Sequence, residues 1–396
     1  MSIRVDPRPL LIISRNLPPV VGGIERLMHR LIHELDASIE CWVIGPRGCR
    51  RHLPAGIRVF EIPHRPAPLF MLLAMLTAAG CLLARRFRVV LAGNGLMALV
   101  ALPARLRRVP VVTMVYGLDV VTENPLYRAV CLPAIRSSDG VIACSSNTAR
   151  LARERGIETT RLSVAIPGVE MPSRSPAPGE AARIDDGRPL LVSVGRLVRR
   201  KGIADFIRHA LPAIVERVPA VRYVVIGTAP VAALKREPSE TERIRSAICT
   251  AGMERHVELA GFVDDGILEA WMSIARAHVF PVLDLAQDVE GFGLVALEAA
   301  ARGVPTVAFD AGGVSDAVAP GRSGTLVRSG DYAALATAVV RVLQEPARAQ
   351  APSCLAFARE HDWPSYAKSV LREIQRVAPS DPGGSPPDRS QSGSPT

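Results

Sequence analysis

Lysine, aromatic residues and paired cysteines are scarce in this chain of 396 residues. It has three lysines against 45 arginines, and aromatic residues make up 4% of it. The seven cysteines form no C-x-x-C pair, which argues against a disulfide framework or a zinc site and favours a reducing cytoplasm. The eight histidines form no H-E-x-x-H motif and no D-x-D triplet is present, so we predict that no bound metal is required.

The sequence also lacks a long apolar segment. The first apolar run, residues 10–14, is too short for a secretory signal, and we expect none. Residues 69–84 are free of charge but fall short of the roughly 20 residues of a membrane span. A buried core helix is the favoured interpretation, while a helix lying at a membrane interface stays open.

Positive charge is concentrated in the first part of the chain. Residues 1–170 hold 22 arginines and 12 acidic residues, a net charge of 22 − 12 = +10, which is the whole charge of the protein. This asymmetry predicts contact with an anionic membrane or acceptor, and we do not expect nucleic acid as the partner. An arginine-rich but merely solvated surface is the alternative.

Short apolar runs alternate with helical stretches, which indicates an α/β fold with buried parallel strands. Strands are predicted at residues 10–14, 41–45, 88–92, 111–116, 140–144 and 164–166, and again at 190–195, 222–227, 257–261, 278–282, 305–310 and 325–327. A Pro, Ser and Gly-rich interval separates the two sets. We therefore predict two Rossmann-like doubly wound domains, residues 1–170 and 190–376, a linker at 171–189 and a disordered tail at 377–396.

A glycine-rich turn that opens a helix is the most informative motif, in "DVEGFGLVALEAAARGVP". Gly291 and Gly293 would let the backbone approach a ligand, and the amides of Leu294 and Val295 would bind anionic oxygens. Glu290 and Glu298 would lie roughly 12 Å apart if most of the interval is helical. That exceeds the about 5–9.5 Å between the carboxylates of a glycoside hydrolase, so we interpret them as two contacts along one ligand.

This stretch resembles the E-x7-E signature of glycosyltransferase family four. The resemblance implies the GT-B fold, two Rossmann-like domains facing a cleft, and a retaining transferase that uses a nucleoside-diphosphate sugar. It implies that Glu290 approaches the donor sugar and Glu298 the ribose, with Phe292 in the donor-binding loop.

Two further segments are similar to family elements. In "GRLVRRKG", Arg196 and Lys201 would hold the donor pyrophosphate, as charge-assisted hydrogen bonds to a departing diphosphate require. In "PPVVGGIERL", Gly22 and Gly23 would bring backbone amides to the diphosphate from the opposite domain. By itself this second segment is a plain turn before a helix.

The sequence departs from the family pattern at "VYGLD", where Tyr116 replaces a histidine before Gly117 and Asp119. A phenol can donate to a sugar hydroxyl but cannot carry the positive charge of an imidazolium. We list Tyr116 and Asp119 with Arg196, Lys201 and Glu290 as catalytic candidates. An exposed aromatic at a strand end is the alternative for Tyr116.

The function implied is transfer of a mannose- or glucose-type hexose to a glycolipid, polyprenyl-linked or saccharide acceptor, in cell-envelope, exopolysaccharide or glycolipid biosynthesis. The enzyme would be cytoplasmic, either free or peripheral on the inner face of the cytoplasmic membrane. Alternatives are a sugar-nucleotide-binding protein without transfer activity, a nucleotide-sugar epimerase and a sugar phosphorylase. The "GNGLMA" match to a dinucleotide fingerprint at residues 93–98 lacks the acidic residue expected about 20 positions on, which argues against a nicotinamide or flavin cofactor.

Overall fold

The computed structural model describes residues 8–172, 179–229 and 239–379. The first part of the chain forms β1 (Leu10–Ile13), α1 (Gly23–Asp36), β2 (Cys41–Pro46), β3 (Arg58–Ile62), α2 (Ala67–Ala84), β4 (Val89–Ala92), α3 (Gly95–Val100), α4 (Pro103–Leu106), β5 (Val111–Val115), α5 (Leu118–Val121), α6 (Pro125–Arg136), β6 (Gly140–Ala143), α7 (Ser146–Glu154) and β7 (Leu162–Val164).

The second part forms α8 (Glu180–Ile184), β8 (Leu190–Val194), α9 (Ile203–His209), α10 (Leu211–Arg217), β9 (Arg222–Ile226), α11 (Glu240–Ala251), β10 (Val257–Gly261), α12 (Asp265–Ile274), β11 (Ala277–Phe280), α13 (Leu294–Ala300), β12 (Thr306–Asp310), α14 (Val314–Ala317), β13 (Gly324–Arg328), α15 (Tyr332–Gln344), α16 (Ala351–Arg359) and α17 (Trp363–Val377). Short 3-10 turns lie at Cys49–His52, Thr159–Arg161 and Arg199–Lys201.

Two parallel sheets organise the molecule. The first has the order β3-β2-β1-β4-β5-β6-β7 and the second β10-β9-β8-β11-β12-β13. Central strands such as β1 and β4 are buried along their whole length, because helices cover both faces of each sheet, and this explains their continuous apolar runs. The predicted pair of Rossmann-like sheets is confirmed.

The last helix returns to the first sheet. Helix α17 packs against α1, β5 and β6, and the Arg376 guanidinium donates to the Asp139 carbonyl oxygen over 3.0 Å. The helix continues through Val377, one residue into the predicted tail, and residues 380–396 of that tail lie outside the described residues. The chain therefore crosses between the two sheets twice.

The structure differs from the sequence expectation in local detail. The edge strand β3 was not predicted, and the last strand of the first sheet begins two residues earlier than expected. The predicted linker is partly helical, since α8 packs against α12, while residues 173–178 lie outside the described residues. The predicted helix at residues 95–106 is divided into α3 and α4, with Pro103 opening the second piece because proline lacks the amide that a continuous helix needs.

Helix α2 is not the buried core helix that the sequence analysis favoured. Only 28% of its residues are buried, although its mean hydropathy is 2.1 over 18 residues. Phe70, Ala74 and Ala78 pack on the sheet, whereas the opposite face is exposed. By length and composition alone it is the one helix in the described residues that could cross a membrane, which is weak evidence for a span.

Candidate functional site

The carboxyl ends of the strands of both sheets meet at one cleft, where parallel α/β sheets bind ligands. The backbone of Gly291 lies so close to the other domain that an added Cβ would be 2.5 Å from the Tyr116 carbonyl oxygen. The Cys144 thiol donates to the Gly291 carbonyl over 3.3 Å, and the Ser146 amide donates to Asp316 Oδ2 over 2.7 Å. The two domains are thus in direct contact in this arrangement.

Glu290 is at the centre of a buried charge cluster in the second domain. Its Oε2 lies 2.9 Å from Lys201 Nζ and 3.2 Å from Arg200 Nε. Arg200 also donates to Asp288 Oδ1 over 2.8 Å, and the Lys201 ammonium lies 4.4 Å from the centroid of the Phe280 ring. The 3-10 turn after β8 therefore delivers two cations to the carboxylate in the loop after β11.

Burial and charge oppose each other in this cluster. Burial by itself raises the pKa of Glu290, but the neighbouring Lys201 and Arg200 together bring that pKa below its usual value, so the carboxylate is ionised. Burial lowers the pKa of Lys201, and the Glu290 carboxylate opposes that shift. An anionic ligand at Lys201 would add a second negative partner and favour the ammonium further.

The other predicted donor contacts surround this cluster. Arg196 follows β8, is exposed, and has no hydrogen-bond or ion-pair partner among the described residues. Gly293 has φ 93°, a conformation suited to glycine, and ends the turn before α13, so the first amides of that helix at Leu294 and Val295 lack intrahelical acceptors. The Phe292 side chain is in the core, which leaves only its backbone for a ligand.

The space beside these groups is small. A recess of about 10 Å³ is lined by Arg196, Lys201 and Phe280, among others. Ligand pockets for small molecules measure roughly 300–1,000 Å³. This recess, whose wall comes from the second domain alone, is by itself too small for a ligand of that size.

Glu298 lies in a different environment from Glu290. Its carboxylate forms an ion pair with Arg26 of α1, across the cleft. Burial raises the pKa of Glu298, opposed by Arg26 and Arg302. Helix α13 begins only at Leu294, so about half of the interval is a glycine-rich turn and the 12 Å estimate for a helix does not apply to it. The separate partners still indicate two contacts rather than one carboxylate pair.

The hydroxyl of Tyr116 does not face the cleft. It donates to Met28 Sδ over 3.2 Å and lies 3.5 Å from Met114 Sδ, and the side chain is buried. The predicted contact of this phenol with a sugar hydroxyl is wrong for this arrangement, because strand β5 ends with the ring turned into the core against α1.

Asp119 is engaged within its own domain. Its carboxylate accepts from the amides of Tyr116, at 2.9 Å, and Gly95, at 3.1 Å, and from the Tyr127 hydroxyl at 3.3 Å. Burial raises the pKa of Asp119, and these three hydrogen bonds oppose the shift. These hydrogen bonds hold the loops of the cleft together, and the catalytic role of Asp119 stays a prediction.

The glycine loop of the first domain precedes α1 as predicted. Gly22 is the N-cap of α1, and an added Cβ there would collide with the Glu25 carboxylate at 2.1 Å, whereas at Gly23 it would meet open space. Glu25 accepts from Asn16 Nδ2 over 2.6 Å. The loop is thus adjacent to the cleft, and Asn16, in the loop after β1, holds Glu25.

Two family models together match most of the chain. "Glycosyltransferase Family 4" matches residues 21–171 and "Glycosyl transferases group 1" matches residues 188–345. The chain belongs to glycosyltransferase family 4. The first match begins after β1 and covers the other strands of the first sheet, and the second match covers the whole second sheet, so the predicted family is confirmed over both domains.

Curated relatives agree with this assignment. The "GDP-mannose-dependent alpha-(1-6)-phosphatidylinositol monomannoside mannosyltransferase" of Mycolicibacterium smegmatis is 28% identical over 86% of this chain and 91% of its own. The "D-inositol 3-phosphate glycosyltransferase" of Corynebacterium urealyticum is 31% identical over 69% of this chain and 65% of its own. The protein is a glycosyltransferase.

Solved structures show the same fold. HepE of Anabaena, in complex with UDP-glucose, superposes with a TM-score of 0.74 at 18% identity, covering 93% of this chain and 100% of that one. A glycosyltransferase of Rickettsia africae gives 0.75 at 15% identity, covering 94% and 99%. The predicted GT-B architecture is confirmed.

Proposed function

We propose that this glycosyltransferase is a retaining hexosyltransferase that moves a mannose- or glucose-type sugar from a nucleoside-diphosphate donor. The observation that carries the proposal is the cluster of Glu290, Lys201 and Arg200 beside Arg196, which has no ion-pair partner in the described part of the chain. Cations on one side of a buried carboxylate can hold a diphosphate while the carboxylate orients the sugar. The relative whose name specifies GDP-mannose, and the neighbour solved with UDP-glucose, support a hexose donor.

In the proposed reaction, the bond between the anomeric carbon and the diphosphate oxygen breaks as the acceptor hydroxyl approaches the same face of the sugar. The acceptor oxygen forms the new bond to the anomeric carbon, and its proton passes to the leaving phosphate. Arg196, Lys201 and the amides at the start of α13 stabilise the developing negative charge. No protein nucleophile takes part, and attack from the face that the diphosphate leaves keeps the anomeric configuration unchanged.

We propose that the positive side chains supply the neutralising charge without a metal. Activity in excess EDTA should equal activity without it, and a loss restored by Mg²⁺ or Mn²⁺ contradicts this part of the proposal.

We propose a lipid-linked or saccharide acceptor and a place on the inner face of the cytoplasmic membrane, in cell-envelope, exopolysaccharide or glycolipid synthesis. The concentration of net positive charge in residues 1–170 supports contact with anionic lipid. The M. smegmatis relative, named for a phosphatidylinositol mannoside acceptor, supports a glycolipid.

The test begins with thermal unfolding in the presence of GDP, UDP and ADP sugars, because a ligand of the native state raises apparent stability. The selected donor is then used with Arg196→Ala, Lys201→Ala and Glu298→Ala, measuring donor affinity and nucleoside-diphosphate release separately. We expect Arg196→Ala to lower turnover by roughly 10²–10³-fold, as for loss of one oxyanion donor. Arg217→Ala, another exposed arginine of the second domain, is the control.

Unchanged turnover in all three variants overturns the site. Donor binding with no transfer to any acceptor indicates instead a sugar-nucleotide-binding protein. Inversion of the anomeric centre, seen by NMR of the product, contradicts the mechanism.

A further inference from the structure

A large cavity lies away from the cleft and is lined by arginine. It measures about 690 Å³, and its wall contains no acidic residue within the described part of the chain. We name it the arginine cavity after its six arginines, Arg8, Arg85, Arg86, Arg88, Arg107 and Arg108.

The topology places this cavity at the edge of the first sheet opposite the cleft. Arg8, Arg88 and Arg108 precede the neighbouring parallel strands β1, β4 and β5, and so stand at their amino ends. The cleft residues follow the same strands at their carboxyl ends. Strands of four or five residues at about 3.3 Å each separate the two edges by roughly 13–17 Å. The cavity is therefore distinct from the donor site.

Much of the positive charge at the cavity has no acidic partner in the described part of the chain. Arg85 forms an ion pair with Glu40 at 2.9 Å, and Arg88 donates to the Ala378 carbonyl over 3.0 Å. The exposed side chains of Arg86, Arg107 and Arg108 have no such contact within the described residues. Clustered cations that repel one another are a ready site for an anionic group.

Arg108 also has an uncommon backbone conformation. It has φ 53°, in the left-handed region that only a few per cent of non-glycine residues adopt. This conformation ends the turn after α4 and presents the guanidinium at the cavity. Such conformations cluster at functional sites, although Arg348 adopts one as well, with φ 64°.

An apolar stripe of α2 runs to the same cavity. We name as the leucine stripe four residues of α2 that are 40%, 56%, 62% and 71% exposed, in order Leu69, Leu72, Leu76 and Leu83. At 3.6 residues per turn they fall within about 60° of one another, on the face opposite the residues packed on the sheet. Leu106, 89% exposed, extends the apolar surface on the far wall of the cavity.

We propose that the arginine cavity and the leucine stripe form one docking surface for a bilayer of anionic phospholipid. Arg86, Arg107 and Arg108 bind lipid phosphates, and the leucines enter the acyl region. Apolar surface next to clustered arginine suits a membrane interface, where cations lie at headgroup level. This inference deepens the proposed membrane location, on which it rests.

The orientation of α2 explains what this docking achieves. The helix spans about 27 Å at 1.5 Å per residue, and its carboxyl end, followed by Arg85 and Arg86, is at the cavity. Its amino end is on the cleft side, where the Arg15 guanidinium reaches the His64 carbonyl. A helix lying on the membrane therefore brings the cleft mouth to the surface from which a lipid-linked acceptor enters.

The experiment is flotation of the full chain with vesicles of phosphatidylglycerol and of phosphatidylcholine, at low and high salt and without sugar nucleotide. We compare wild type with the cavity variant Arg86→Gln/Arg107→Gln/Arg108→Gln and the stripe variant Leu72→Ser/Leu76→Ser. The control variant Arg217→Gln/Arg245→Gln/Arg255→Gln removes the same charge from exposed positions of the second domain. A cavity variant with lysine at the same three positions keeps the charge.

We expect the cavity variant to lower partitioning onto phosphatidylglycerol by roughly 100-fold, from the attraction of a lipid surface for three basic side chains. The lysine variant and the control should bind within a few-fold of wild type, and the stripe variant should bind less strongly. If the control variant loses as much binding to phosphatidylglycerol as the cavity variant, the effect of charge is non-specific. If wild type binds phosphatidylcholine as strongly as phosphatidylglycerol, adsorption does not depend on the arginines. Either result overturns the proposal.

Unfolding temperature and nucleoside-diphosphate release with a soluble acceptor verify that the cavity variant is folded and active. Flotation does not depend on catalysis. A chain that floats as expected but transfers no sugar contradicts the proposed sugar transfer alone, and an active chain that does not float contradicts the docking surface and the membrane location but not the transfer.

Discussion

The buried pair of Glu290 and Lys201 makes an asymmetric prediction, because the two groups differ in their number of partners. Glu290 has two cations within 3.2 Å, whereas the Lys201 ammonium has one carboxylate. Glu290→Gln therefore leaves a buried ammonium without a counter-charge, while Lys201→Met leaves a carboxylate that keeps Arg200. The first change should be the more destabilising.

The magnitudes follow from burial. Removing one partner of a buried ion pair costs about 3–5 kcal/mol when the other charge is left uncompensated. Losing one of several hydrogen-bonded partners costs about 1–3 kcal/mol. At about 2–4 °C per kcal/mol for a domain of this size, Glu290→Gln should lower the unfolding temperature by roughly 6 °C or more.

The dependence on pH has a definite sign. In Glu290→Gln, burial keeps the pKa of Lys201 below its unfolded value of 10.5 and the opposing carboxylate is gone. The penalty for the unpaired ammonium is full below the folded pKa and disappears as the pH rises towards 10.5, where lysine is neutral in both states. The stability deficit relative to wild type should therefore shrink between pH 7 and pH 10.

The assay is thermal and urea unfolding of both single variants and the double variant, which together form a double-mutant cycle. Lys201→Met should largely rescue Glu290→Gln, because the double variant buries neither unpaired charge. Glu360→Gln, which removes a carboxylate from the exposed pair with Arg322, is the control and should change little. A larger loss in Lys201→Met, or a deficit independent of pH, refutes the reasoning.

Three further predictions concern the cleft. Gly291→Ala puts a Cβ 2.5 Å from the Tyr116 carbonyl oxygen, so the two domains must separate. Turnover should then fall at least about 10-fold, and X-ray scattering should show a larger radius of gyration, whereas an unchanged radius contradicts this prediction. Tyr116→Phe removes a hydroxyl that contacts only methionine sulfur, so turnover should stay within about threefold, and a loss beyond 10-fold restores the catalytic hypothesis. Arg26→Gln removes the partly exposed ion pair with Glu298, which contributes about 0.2–1 kcal/mol, so donor affinity measured by calorimetry should increase by up to about fivefold. Arg30→Gln, which removes a similar pair with Glu170, is the control. Weaker donor binding by Arg26→Gln shows that Arg26 contacts the donor.

Much of the site was predictable because its motifs are local. Arg196 and Lys201 lie in one turn, and Glu290 opens another, so their spacing along the chain survives in the structure. Arg200 was missed although it precedes Lys201 in "VRRKG". In that turn Arg199 pairs with Asp205 and Arg200 with Glu290. The sequence alone does not show which residue of the 3-10 turn contacts a carboxylate 90 positions away.

Arg26 was missed for a different reason. Its pairing with Glu298 spans 272 positions and two domains, and it depends on how the domains meet. The same dependence explains the misassigned phenol of Tyr116, since the direction of a side chain at a strand end is decided by what packs beside it. In this case the neighbour is Met28 of α1.

The exposure of the leucines of α2 was also not predictable from the sequence. Residues 69–84 are apolar on every face, so periodicity cannot tell a buried helix from one with an open side. Only the sheet beneath α2 determines which leucines remain uncovered.

The sequence by itself determined the parallel α/β domains, the family and most of the charge cluster around Glu290. These features are encoded by neighbouring residues, in alternating buried strands and short glycine turns. The tertiary structure decided that Arg200 shares Glu290, that Arg26 reaches Glu298, that the Tyr116 hydroxyl is withdrawn, and that six arginines meet at one edge of the first sheet. These four depend on packing between segments far apart in the chain, which no local pattern records.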